Sequence, residues 1–121
     1  MALILIVDDS PTEVHVMKQA LERHGYRTAV AADGEEGIRL ARQMHPDLIF
    51  MDIVMPGVNG YQATRTLAND PNTKAIPIVM VTSKGQETDR IWGLRQGAVD
   101  YMVKPVSMDQ LVEKAQAALA A

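Results

Sequence analysis

The residues of this 121-residue chain that could do chemistry together are Asp8, Asp9, Asp52, Thr82 and Lys104. Carboxylates gathered around one ammonium repel one another unless a cation lies among them. Hard oxygen donors with no His or Cys beside them suit Mg²⁺, or Mn²⁺, better than zinc. Mg²⁺ keeps several waters and bridges carboxylate to phosphate, so such a cluster points to a phosphoryl group docking beside the metal. Asp52 would be the nucleophile, since carboxylates form aspartyl phosphates. Lys104 and Thr82 would then hold phosphoryl oxygens and neutralise developing charge.

Residues so far apart in sequence meet only if the fold gathers them, and the hydropathy pattern supplies that fold. Leu3–Val7 is a continuous apolar run, the mark of a strand covered on both faces, and it stops at Asp8. Ser10-Pro11-Thr12-Glu13 opens a helix: Ser10 caps, Pro11 needs no donor, and Glu13 is spaced to complete a capping box. Val14, Met17, Ala20 and Leu21 form its apolar stripe before Gly25. Strands are predicted at Arg27–Ala31, Leu48–Met51, Ile76–Val81 and Val99–Val103. Between and after them, helices are predicted from Asp33 to Met44, from Asn59 to about Asn69, from Gln86 to Gln96, and from a Ser107/Gln110 cap nearly to Ala121. Strict alternation predicts an α/β fold: a five-stranded parallel sheet, doubly wound as (βα)5 in the flavodoxin-like, three-layer manner. Ligands of such sheets bind beyond the carboxyl ends of the strands. Asp8 and Asp9, Asp52, Thr82 and Lys104 all stand at those ends.

Composition narrows the classes. The absence of Cys excludes disulfides, zinc ribbons and thiol chemistry. Twelve basic against fifteen acidic residues, net −3, argue against bulk binding to nucleic acid or anionic membrane. The apolar N-terminus meets Asp8 and Asp9 without a basic region or cleavage site, and no run nears the ~20 apolar residues of a membrane helix. The cytoplasm is the expected location. Five βα units are expected to fill 1–121 as a single domain, with no output domain expected. His15, His24 and His45 read as solvated or capping residues rather than phosphohistidines, and the scattered Met as core.

Taken singly, each site residue has an ordinary structural reading: a helix cap for the Asp residues, a strand residue for Thr82, a surface lysine for Lys104. Their joint placement on one sheet edge favours chemistry. The segments ILIVDDSPT, LIFMDIVMPGVNGYQ, IPIVMVTSKG and GAVDYMVKPV carry a resemblance over the whole chain to the response-regulator receiver domain, the CheY-like family. The resemblance implies that Asp52 is the phosphoacceptor, that Asp8, Asp9 and Asp52 with the Val54 carbonyl hold Mg²⁺, and that Thr82 and Lys104 engage the phosphoryl group. It also implies a cis bond before Pro105 and a switch in which Tyr101 turns inward as Thr82 moves toward the phosphate. The face made by the fourth helix, fifth strand and fifth helix would then be the output surface. Trp92 there is either an exposed anchor or a packed residue.

SPTE, MDIVMPGVNGYQATR and KGQETDRIWGLRQGAVDYMVKPV are similar to the PilH-type subgroup of type IV pilus twitching regulators. That resemblance implies a stand-alone regulator phosphorylated by a sensor histidine kinase or its phosphotransfer domain, acting on a downstream motility or chemosensory protein. A phosphotransfer intermediate or phosphate sink for a shared kinase is the alternative output. Val54 departs from the polar residue many receivers carry two positions past the acceptor, which leaves phosphoryl lifetime open. Two other classes fit less well. A Mg²⁺-dependent phosphohydrolase of the haloacid-dehalogenase pattern needs a second Asp two residues after its nucleophile, and Ser10 stands there instead. A flavin binder needs a hydroxyl-rich phosphate loop, where Asp8 and Asp9 would repel phosphate.

Overall fold

The computed structural model describes residues 1–120. Strand β1 (Leu3–Val7) leads to α1 (Pro11–Arg23), β2 (Arg27–Ala31) to α2 (Gly34–Met44), and β3 (Leu48–Met51) to α3 (Gly60–Asn69). Strand β4 (Ile78–Thr82) leads to α4 (Glu87–Gln96), and β5 (Asp100–Val103) to α5 (Met108–Ala120). All strand pairs are parallel, in the order β2-β1-β3-β4-β5. The expected doubly wound sheet is present. Among the described residues no helix is long and apolar enough to cross a membrane.

The continuous apolar runs follow from helices on both faces. Along β1, Ile4 and Ile6 point into one cluster with Val14, Met17 and Leu21 of α1 and Leu111 of α5. Leu5 and Val7 point into the other, with Ala41 of α2 and Ala63 and Leu67 of α3. Each fully buried aliphatic side chain stabilises the fold by roughly 1.5–3 kcal/mol, so the sheet centre is its most firmly held part.

Three strand boundaries differ from the sequence expectation. β4 starts at Ile78 rather than Ile76, because the Ile76 amide closes a turn onto the Thr73 carbonyl at 3.0 Å. Pro77, which has no donor, contributes only its carbonyl, to Ile49. β4 also runs one residue further than expected, since Thr82 stays in register with Val103. β5 begins at Asp100 rather than Val99, although the Val99 amide already bonds the Ile78 carbonyl.

This register aligns the strand ends. Val7 is opposite Met51, so Asp8 and Asp52 emerge side by side where the strand order reverses between β1 and β3. The Asp8 amide bonds Ala31 and the Asp52 amide bonds Val7, which ties both residues to the last rungs of the ladder. On the far side the Lys104 amide bonds the Thr82 carbonyl at 2.8 Å.

Candidate functional site

Asp8 is the anchor of the site. Its carboxylate is buried, accepting from the Ser10 amide at 2.9 Å through Oδ1 and from Lys104 Nζ at 3.0 Å through Oδ2. Asp52, also buried, accepts from the Ile53 amide at 2.7 Å through Oδ1 and from Lys104 Nζ at 3.3 Å through Oδ2. Asp9 follows on the exposed side. Asp8, Asp9 and Asp52 each offer a carboxylate oxygen, and these lie within 4.8 Å of one another. An all-oxygen donor set of this size, free of His and Cys, fits a hard divalent cation such as Mg²⁺.

Lys104 reaches this cluster from the end of β5, and the Lys104–Pro105 peptide is cis, as expected. Its side chain is only 15% exposed. Burial pulls the ammonium's pKa down, but the hydrogen bonds to Glu13 and Asp8 and the charge of Asp52 outweigh it and hold it above the usual lysine value. Asp8 is pushed the other way. Burial raises its pKa, the Ser10 amide and Lys104 lower it, and the charge of Asp52 raises it again, for a net upward shift.

That shift has a consequence for stability. A carboxyl whose folded pKa lies above its unfolded value binds its proton more tightly when folded, so stability falls as pH rises through the pKa. Ionised Asp8 therefore costs the metal-free protein stability at neutral pH. Asp8→Asn is expected to raise the thermal midpoint of metal-free protein at pH 7 by on the order of a few degrees. The gain should shrink as the pH falls toward the ordinary Asp value of 3.8. Calorimetry in chelator across this range tests it, and a drop in midpoint at pH 7 contradicts it.

Thr82 is fully buried at the end of β4, its hydroxyl accepting from the Lys84 amide at 3.3 Å. Tyr101 is buried on β5, its hydroxyl donating to the Lys84 carbonyl at 2.6 Å. Its ring lies where a side chain at Gly93 of α4 would stand, with ring carbons 3.1 and 3.2 Å from that position. Thr82 and Tyr101 thus both hold Lys84, so the β4–α4 loop is fastened to both residues expected to move. Burial and the neighbouring Tyr61 raise the Tyr101 pKa, which keeps the phenol protonated. Val54 lies in the loop after β3 and is 59% exposed. Trp92 is 49% exposed, so α4 leaves it outside the core. His15 is exposed, His24 Nδ1 lies 3.0 Å from the Ala20 carbonyl, and His45 ends α2 in the left-handed region, in keeping with the roles expected of them.

Sequence reasoning missed two contributors. Glu13 does not complete the capping box expected of it: Ser10 Oγ accepts from the Glu13 amide, but the Glu13 carboxylate turns to Lys104 Nζ at 2.5 Å. The Ser10 amide that it would have capped is taken by Asp8 instead. Tyr61 of α3 donates to the Asp89 carbonyl at 3.1 Å, clamping the first turn of α4 beside Tyr101. Neither contact has a local signal, because the partners lie on distant elements.

The comparisons with known proteins agree with this geometry. The family model described as "Response regulator receiver domain" matches residues 4–116. The chain is 55% identical over 120 residues to Protein PilH of Pseudomonas aeruginosa, covering 99% of each. Among solved structures, the chemotaxis protein CheY4 of Vibrio cholerae superposes with a TM-score of 0.92 at 30% identity, covering 98% of this chain and 99% of that one. The receiver domain of the sensor histidine kinase PA1611 of Pseudomonas aeruginosa gives 0.92 at 32% identity, covering 99% and 98%. That structure has a magnesium ion coordinated in its active-site cleft.

Proposed function

The chain belongs to the response regulator receiver domain family, and on that premise we propose that Asp52 accepts a phosphoryl group from a sensor histidine kinase or its phosphotransfer domain and that this switches a protein-binding face. The observation that carries the proposal is the convergence of Asp8, Asp9 and Asp52 with the Lys104 ammonium between two of them. Asp8, Asp9 and Asp52, with the Val54 carbonyl, would hold Mg²⁺, whose charge offsets that of the incoming phosphoryl oxygens. A carboxylate oxygen of Asp52 attacks phosphorus, the P–N bond of the donor phosphohistidine breaks, and the imidazole leaves with the bonding pair and takes up a proton. The amide of Ile53 and the ammonium of Lys104 keep the nucleophile oriented before attack. Lys104 and Thr82 then donate to the transferred oxygens. The Thr82 hydroxyl accepts from the Lys84 amide, which leaves its proton free to donate, and a shift of Thr82 toward the phosphoryl group would pull on the β4–α4 loop that Tyr101 also holds.

The face carrying the response is formed by α4, β5 and α5. Ile91, Trp92 and Val103 expose apolar surface there, at 40%, 49% and 44%, and an exposed Trp is a common interface anchor. The similarity to PilH supports a role as a stand-alone cytoplasmic regulator in type IV pilus twitching or chemotaxis-like signalling. Intact-mass analysis with Mg²⁺ and acetyl phosphate tests the reaction. Wild type gains one phosphoryl mass, while chelator or Asp52→Asn abolishes the gain. An equal gain in Asp52→Asn contradicts the proposal. Pull-downs with and without a phosphoryl mimic separate the outputs: a partner retained only with the mimic marks an effector, and a kinase alone marks a phosphate sink.

A further inference from the structure

We propose that Glu13 is a positioning residue that restrains Lys104, competing with the phosphoryl group for its ammonium; the inference rests on the assignment of Asp52 as phosphoacceptor. An ammonium has three donors, and Lys104 commits them to Asp8, Asp52 and Glu13, at 3.0, 3.3 and 2.5 Å. No donor is left for a phosphoryl oxygen until one partner is released. Asp8 belongs to the metal-binding set and Asp52 carries the phosphoryl group itself. Glu13 is the partner with no other duty, because the capping bond its position offers is unused. It is also the most exposed of the three, at 44% against 3% and 8% for the side chains of Asp8 and Asp52, so water can take over its carboxylate on release.

Glu13 and Lys104 border an open cavity of about 200 Å³ lined in part by Val16, Met17, Val81 and Val106, so the pair has aliphatic side chains on one side. Because Glu13 sits in the first turn of α1, its release would expose a free carboxylate on that helix only in the phosphorylated state. The restraint therefore sets how readily the site takes a phosphoryl group and marks α1 once it has done so.

The test is the affinity of trifluoroberyllate, a non-reacting phosphoryl stand-in, measured by calorimetry at saturating Mg²⁺ for wild type, Glu13→Gln and Glu13→Asp. Removing a competing, partly exposed ionic contact is expected to tighten binding about three- to tenfold in Glu13→Gln. Glu13→Asp keeps the charge but shortens the reach, so it should tighten binding as well. Equal affinity in all three proteins, or weaker binding in Glu13→Gln, overturns the restraint. Tightening in Glu13→Gln with wild-type affinity in Glu13→Asp would mean bulk charge rather than contact, and also overturns it. Failure of wild type to bind the stand-in would remove the phosphoacceptor assignment and this inference with it.

Discussion

Lys104→Met is expected to slow phosphoryl uptake from acetyl phosphate by about 10²-fold or more while making Mg²⁺ bind more tightly. The opposite signs follow from where the ammonium sits. It lies 3.0 Å from Asp8 Oδ2 and 3.3 Å from Asp52 Oδ2, on two of the carboxylates that would receive the metal. Removing a preorganised donor to developing charge costs about 10²–10³ in rate. The same change takes away a cation that competes with the metal at close range. At an effective dielectric near 20, a unit charge about 4 Å away interacts by roughly 4 kcal/mol, so tightening by about tenfold or more is expected even after solvent screening. Intact-mass kinetics and metal titration by calorimetry measure the two effects separately. A variant that was merely misfolded would lose both, and unchanged uptake would remove Lys104 from the chemistry.

The second large effect is structural. Gly60, the first residue of α3, packs directly on the backbone that carries Asp52. A methyl group there would stand 2.0 Å from the Asp52 carbonyl oxygen and 2.7 Å from Ile53 Cα. Those atoms cannot step aside, because Asp52 is bonded to the Val7 carbonyl and the Ile53 carbonyl accepts from the Gly60 amide at 2.9 Å. Gly60→Ala must therefore push α3 away from the end of β3. Overpacking against backbone of this kind is expected to cost about 3 kcal/mol or more, a fall in thermal midpoint of roughly 10 °C or more for a domain of this size. Gly57→Ala is the control: its φ of +73° carries a backbone penalty, but nothing lies within 4 Å. That variant should lose only about 1 kcal/mol. Equal losses in the two variants would show that backbone conformation, not the packing of α3 on Asp52, governs this loop.

Legibility in the sequence followed the range of the interactions involved. Strands buried on both faces must be apolar throughout, so their ends are visible where a polar residue follows, as at Val7–Asp8 and Met51–Asp52. Finding the ends was enough to find the site, because parallel register brings them to one edge. The fourth strand was harder. Ile76 and Pro77 extend its apolar run although Ile76 belongs to a turn, and Thr82 looks like a terminus although it pairs with Val103. The spacing of Glu13 misleads for a related reason. Its spacing from Ser10 fits a capping box, but its partner Lys104 arrives from 91 residues away. The placement of Trp92 turns on Gly93: the glycine, with Leu94 beside it, meets Met80 and Tyr101, and the indole stays outside. A helix docked through a missing side chain leaves no apolar stripe to read.

The phosphoryl group proposed to reside on Asp52 can be located chemically. Wild-type protein phosphorylated with acetyl phosphate in Mg²⁺ is reduced with borohydride, which converts an aspartyl phosphate to homoserine, and its peptides are sequenced by mass spectrometry. Homoserine at position 52, absent from chelator-treated protein and from Asp52→Asn, is the predicted result. Homoserine at Asp8 or Asp9, or a phosphoryl group recovered on a histidine, would contradict it.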